Sequence, residues 1–324
     1  MPGRPAHRFT SRVREGATYR RISLIILLGL LLAVVVATAA APSASAFLPA
    51  PASGVLARLT DARAVAGQAA GGAVADGWAG GARLAQATVP SAIPSELLTP
   101  YEVIASYPHD PDAFLQGLVW HGGGFYESTG LYGQSSLRRV AFPSGEVTRQ
   151  VSLPSQYFGE GLALVGERLV QLTWRSKLGF VYDRETFELL GSFPYETEGW
   201  GLTFDGTSLI MSDGSDVLTY LDPESFQPLR TLPVTLDGQP VDELNELEWI
   251  EGEIWANVWQ TDVIVRIDPA TGQVIGVLDL AGLLPGEART GREDVLNGIA
   301  YDPDGGRIFV GGKRWPLLFE IRVR

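Results

Sequence analysis

A chain of 324 residues with no cysteine, three histidines and a formal net charge of −12 has several chemistries closed to it from the outset. Without cysteine there is neither a disulfide framework nor a thiolate metal site. His7, His109 and His121 are too few and too scattered for a multi-histidine zinc site and poor material for a serine–histidine–aspartate triad. The acidic balance also argues against nucleic acid, whose phosphates are neutralised by Lys and Arg.

The first 21 residues carry Arg4, Arg8, Arg12, Arg14, Arg20 and Arg21 against a single Glu15. Ile22 to Ala41 is then almost wholly apolar, and Ala44-Ser45-Ala46 supplies a small-x-small site, the layout of a secretory signal peptide. Twenty apolar residues are also long enough to span a bilayer. Two outcomes follow: cleavage after Ala46, or retention of residues 22–41 as a membrane tether. Both put the remainder outside the cytoplasmic membrane, secreted or extracytoplasmic. From Phe47 to residue 99 the chain is rich in Ala, Gly, Pro and Ser, and Gly67, Gly71, Gly72, Gly77, Gly80 and Gly81 undercut any helix there. It reads as a flexible spacer. The expected division is therefore 1–46 signal or anchor, 47–99 spacer and 100–324 catalytic domain.

From Tyr101 onward, short β-branched and aromatic runs alternate with turn signals, as in an all-β domain. One tripeptide recurs: Gln116-Gly117-Leu118, Glu160-Gly161-Leu162, Trp200-Gly201-Leu202, Asn245-Glu246-Leu247 and Asn297-Gly298-Ile299, at intervals of 44, 40, 45 and 52 residues. A period near 45 with several short strands per unit marks a propeller blade. In the third unit Gly201 opens a strand and Asp205-Gly206 a hairpin. Ser208–Ser212 and Val217–Leu221 follow as strands, and Asp222-Pro223 turns the chain into a fourth. The fourth unit repeats this with Glu251-Gly252, Ile254–Val258, Val263–Ile267 and Asp268-Pro269. Asp183, Asp222 and Asp268 read as turn residues and not as metal ligands. The prediction is a five-bladed β-propeller with four antiparallel strands per blade. The last unit runs out of chain after three strands, so Tyr101–Tyr107 is expected to pair with the C-terminal segment, closing the ring and covering an edge that would otherwise invite aggregation.

In such a ring the first strand of each blade lines the central channel. Gln116, Glu160, Trp200, Asn245 and Asn297, each just ahead of a first strand, should surround one mouth. Turns after the second strands bring Trp174, Trp259 and Lys313 to the same face, with Trp315 as a further candidate. A carboxylate among aromatic walls has its pKa raised toward the range useful for proton transfer, and a nearby ammonium draws it back. Carboxamides both donate and accept, which suits an amide-bearing ligand. The plainer reading of Gln116, Asn245 and Asn297 is that they only satisfy backbone groups in the channel.

Several runs resemble the plant and bacterial glutaminyl-peptide cyclotransferases: Tyr107–Leu118 (YPHDPDAFLQGL), Tyr126–Gly133 (YESTGLYG), Phe158–Leu162 (FGEGL), Glu198–Thr203 (EGWGLT), Leu244–Glu248 (LNELE), Ile254–Asp262 (IWANVWQTD) and Val295–Ala300 (VLNGIA), with Lys313–Pro316. The likeness covers residues 101–324 in order. It implies a five-bladed propeller that converts the N-terminal glutamine of peptides or proteins to pyroglutamate with loss of ammonia. It implies no cofactor and no metal, unlike the zinc-dependent animal enzymes of the same activity. By similarity Glu160 is the acid/base and Lys313 a second polar participant. Gln116, Asn245, Trp174, Trp200 and Trp259 line the pocket with Phe114 beside them, and Asn297 completes the ring of substrate-binding candidates. Leu115, the run His121–Gly124 and Arg314 depart from the pattern. Two other readings stand beside it. One is a secreted, non-catalytic propeller acting as a binding module. The other is a metal-dependent, lactonase-type propeller, for which Gln116 and Trp200 fill positions where oxygen ligands would be needed.

Overall fold

The computed structural model describes residues 93–324, so the expected signal or anchor segment and the spacer as far as residue 92 lie outside the described residues. Strand β1 (Tyr101–Pro108) opens the chain of strands. The first blade is β2 (Leu115–His121), β3 (Gly124–Thr129), β4 (Ser136–Ala141) and β5 (Val147–Ser152). The second is β6 (Gly159–Val165), β7 (Arg168–Thr173), β8 (Leu178–Asp183) and β9 (Leu189–Pro194). The third is β10 (Leu202–Phe204), β11 (Leu209–Met211), β12 (Val217–Leu221) and β13 (Pro228–Pro233). A small hairpin not announced by the repeat, β14 (Thr235–Leu236) with β15 (Gln239–Pro240), precedes the fourth blade. That blade is β16 (Leu244–Ile250), β17 (Glu253–Val258), β18 (Val263–Ile267) and β19 (Val274–Asp279). The fifth contains β20 (Leu296–Asp302), β21 (Arg307–Gly312) and β22 (Leu317–Val323).

Each blade is an antiparallel sheet in sequence order, except the last, whose order is β1-β22-β21-β20. The ring is closed as expected. Tyr101 pairs with Val323 and Pro108 with Leu317, so the outermost strand of the fifth blade comes from the start of the domain. The architecture is a five-bladed propeller.

Burial follows position in the blade. The inner strands β2, β6, β16 and β20 are nearly all buried, whereas β9 and β13 bury a single residue each. An inner strand meets neighbouring blades on both sides; an outer strand has solvent beside it. The core is accordingly not one cluster but five layers between adjacent blades. Leu115, Phe125 and Val140 of the first blade, for example, pack with Ala300, Phe309 and Leu318 of the fifth. Ile210 and Leu218 of the third meet Ile254 and Val265 of the fourth.

The aspartates at the ends of the third strands do turn work. Asp183 Oδ1 accepts from the backbone N–H of Glu185 and Thr186, Asp222 Oδ1 from Glu224 and Ser225, and Asp268 Oδ1 from Ala270. Phe187, Phe226 and Gly272 take the left-handed conformation that completes each turn. Ahead of β1, Thr99 N–H donates to Val277 and Val277 N–H to Leu97, while Ile93 and Leu97 pack on the layer between the third and fourth blades. Contacts with the propeller therefore reach back beyond residue 100.

Candidate active site

The recurring tripeptide sits at a recurring irregularity. In four blades the ladder between first and second strands slips, at Leu115/Gly117, Gly159/Leu162, Leu244/Leu247 and Leu296/Ile299. Gln116, Glu160, Asn245 and Asn297 are thus inside their first strands, on bulges, and not ahead of them as expected. The preceding residue already pairs: Leu115 with Thr129, Gly159 with Thr173, Leu244 with Val258 and Leu296 with Gly312. A bulge re-aims the side chain at the end of a strand, which is why bulges gather beside functional sites. In the third blade Trp200 does precede β10, held by its N–H to Ser212 O at 3.0 Å.

The glycine of the tripeptide has a separate task. A Cβ on Gly117 would lie 2.6 Å from Leu162 N, on Gly161 2.5 Å from Leu202 N, and on Gly201 2.0 Å from Asn245 O. Each glycine lets the next blade's backbone approach. The one unit without it has Glu246 instead, and this carboxylate crosses the channel, accepting from Leu118 N–H at 3.3 Å and Ile299 N–H at 2.8 Å.

Three of the expected side chains form one hydrogen-bonded line. Asn297 Nδ2 donates to Gln116 Oε1 at 3.1 Å and to Leu115 O at 3.0 Å, and Gln116 Nε2 donates to Glu160 Oε1 at 3.0 Å. Asn297 therefore orients the Gln116 amide so that its N–H faces the carboxylate. Asn245 occupies the equivalent bulge of the fourth blade; its amide bonds to no other side chain, and its buried Oδ1 has no protein partner. Trp174, Trp259 and Lys313 follow second strands and are pinned by backbone N–H to Phe158 O, Glu243 O and Val295 O, just ahead of their own blades' first strands.

The aromatic wall falls into two groups of touching rings. Phe114 meets Phe158 at 6.0 Å between centroids, Phe158 meets Trp174 at 5.5 Å, and Trp200 meets Trp259 edge-on at 5.4 Å. Lys313 Nζ lies 5.1 Å from the Phe114 ring. Trp315 does not join them: its indole donates to Asp294 O and packs into the layer between the fourth and fifth blades.

Burial raises the Glu160 carboxyl well above the usual carboxylate range; the Lys313 charge draws it down and Glu198 pushes it further up. Burial lowers the Lys313 ammonium, against the pull of Glu160 and Asp294. The two groups are both buried, and each acts on the charge of the other. Among the described residues, no three His, Asp or Glu side chains gather in a way that would hold a metal ion.

The family model of glutamine cyclotransferase matches residues 79–323. The chain belongs to the glutamine cyclotransferase family. The Arabidopsis thaliana glutaminyl-peptide cyclotransferase is 44% identical over 234 residues, covering 71% of this chain and 73% of that protein. The crystal structure of Myxococcus xanthus glutaminyl cyclase is similar with a TM-score of 0.65 at 42% identity, over 70% of this chain and 97% of that one. The match to the glutamine cyclotransferase family begins at residue 79, ahead of the first described strand.

Two residues of this glutamine cyclotransferase mouth were not among those expected. Phe158 is the aromatic link between Phe114 and Trp174. Glu198 accepts from the indole N–H of both Trp174 and Trp200. A signal for it existed: indole N–H groups in an apolar wall need acceptors, and Glu198 stands two residues from one of them. Its reach to Trp174, 24 residues away, was not visible in the order of residues.

Proposed function

We propose that the chain converts the N-terminal glutamine of peptides and proteins to pyroglutamate with release of ammonia. The neutral α-amine of the substrate attacks its own side-chain amide carbon, forming the ring N–C bond as the C–NH2 bond breaks. Five-membered closure is intramolecular, so the task is to orient the chain and move protons. Glu160 takes the proton from the attacking amine and returns it to the departing ammonia. Burial raises that carboxyl, which strengthens it as a base toward the attacking amine. Lys313 and the Asn245 amide steady the developing oxyanion, since Gln116 is already committed to Glu160. The tryptophans hold the glutaminyl stem and keep water from competing with cyclisation.

The observation that carries this reading is the buried Glu160 on its bulge, with an amide donor oriented toward it and a buried lysine acting on its charge. The membership of the family supports the same reaction. The test is a peptide beginning with glutamine, followed by mass for the loss of ammonia. Glu160→Gln should lower turnover by about 10²–10⁴-fold with its unfolding midpoint unchanged; turnover near the wild-type rate would refute the assignment. A folded wild-type chain that leaves the peptide untouched would favour a binding module instead. We also propose that residues 1–46 carry the enzyme out of the cytoplasm, which fractionation of a full-length tagged chain would test.

A further inference from the structure

Glu198 lies in the turn between β9 and β10, outside the line that joins Asn297, Gln116 and Glu160. Its Oε2 accepts from Trp174 Nε1 at 2.6 Å and from Trp200 Nε1 at 3.1 Å. Its Oε1 accepts from Arg175 Nε at 3.1 Å, and the Arg175 guanidinium lies 3.8 Å from the centroid of the Trp174 ring. One carboxylate therefore ties together walls from two blades: Trp174 after the second strand of the second blade, and Trp200 at the head of the third.

We infer that Glu198 is a positioning residue for the cyclisation, fixing the two indole walls against each other and holding a negative charge beside Glu160. The inference rests on the reaction proposed above. Its physical basis is that each indole has one donor to satisfy and two side-chain torsions to settle. A single ionised acceptor does both at once, and hydrogen bonds to an ionised group are roughly twice as strong as neutral ones. The Arg175 pair contributes little by itself, because its side chains are 63% and 36% exposed and water screens them. The two indole bonds carry the geometry.

The charge acts on Glu160. The groups that bear on that carboxyl are the Lys313 ammonium, which favours ionisation, Glu198, which opposes it, and the Gln116 amide. Asp294 acts through Lys313. The nearby Tyr195 phenol, pushed up to about 12 by burial, stays neutral while bonded to Thr173. Arg175 tempers Glu198 from the rim.

Because both indoles bond to the same oxygen, two substitutions separate geometry from charge. Glu198→Gln keeps a carbonyl oxygen for both N–H groups and removes the charge. Glu198→Ala removes both. With a glutamine-initiated peptide, E198Q should hold KM within about threefold while the acid limb of kcat moves to lower pH by roughly half a unit to one unit. E198A should show the same displacement and, in addition, lose about 10- to 100-fold in kcat/KM together with the near-ultraviolet tryptophan signal that E198Q retains. An unmoved acid limb in E198Q, or wild-type kcat/KM in E198A, overturns the inference; should E198A fail to fold, the E198Q profile decides it. Inactivity of the folded wild type would sink the proposed reaction itself, a result distinct from either.

Discussion

Glu160 is worked on by charges of opposite sign, and the two can be removed separately. Lys313→Met deletes the ammonium that draws the Glu160 pKa down, so the acid limb of the kcat profile should move to higher pH, opposite to the displacement expected for Glu198→Gln. The loss of an oxyanion donor should also cost about 10²–10³ in kcat. A profile that moves the same way in both variants would show that the limb is not Glu160. A second titrating residue bears on stability. His109 is buried, its Nδ1 donates to Trp315 O at 2.7 Å, and its Nε2 lies 3.3 Å from Glu127 Oε1 at ion-pair distance without hydrogen-bond alignment. Burial works against its charge, but Glu127, the Trp315 carbonyl and Asp110 together raise its pKa above 6.5. A raised folded pKa contributes stability that is complete below the unfolded value and lost as pH climbs through the folded one. The wild-type urea midpoint should therefore fall as pH rises past the ordinary imidazole range and through the raised folded value, and His109→Gln should remove that slope. The Lys313 loop feels the same pair, since Trp315 and Pro316 are bonded to His109.

The bulged first strand is the element on which the site depends. Four of the five copies carry a glycine after the site residue, and in the first three that glycine is where the next blade's backbone comes closest. Gly201→Ala would set a methyl group 2.0 Å from the Asn245 carbonyl oxygen, a backbone atom with little room to yield. We expect a cost of about 3 kcal/mol, seen as a drop of roughly 10 °C in the unfolding midpoint, together with lower activity because Asn245 must shift. A variant as stable and active as the wild type would mean the blades are not locked there. The tripeptide itself was readable because a period of about 45 residues survives in the order of the chain. That four of its five members sit on bulges was not. Alternation of apolar and polar residues marks a strand but does not show where its ladder skips, because the skip is set by the partner strand. Glu246 shows the same limit. It breaks the glycine pattern, and only the folded channel reveals that it bonds across to the first and fifth blades.

Closure governs the whole molecule. β1 covers the β22 edge over its full length, and β22 belongs to the blade that carries Asn297 and Lys313. A chain starting at Pro108 should leave that edge bare. It should unfold roughly 10 °C lower and aggregate on heating, as static light scattering along a thermal ramp would report; a monomeric truncation with an unchanged midpoint would refute the role given to closure. The need for closure was legible, because three strands in a four-stranded unit leave a place for one, and only Tyr101–Tyr107 was spare.

What the order of residues determined by itself was the propeller: the period, the turn chemistry at Asp183, Asp222 and Asp268, and the identity of the side chains at each repeat, all of which are local or periodic properties. What only the tertiary structure decided was how those side chains meet. Gln116 reaches Glu160 across 44 residues, and Glu198 holds Trp174 and Trp200 from two blades at once. The physical reason is that hydrogen bonds and charge shifts depend on distances of a few ångströms, and those exist only once five sheets have closed about one axis.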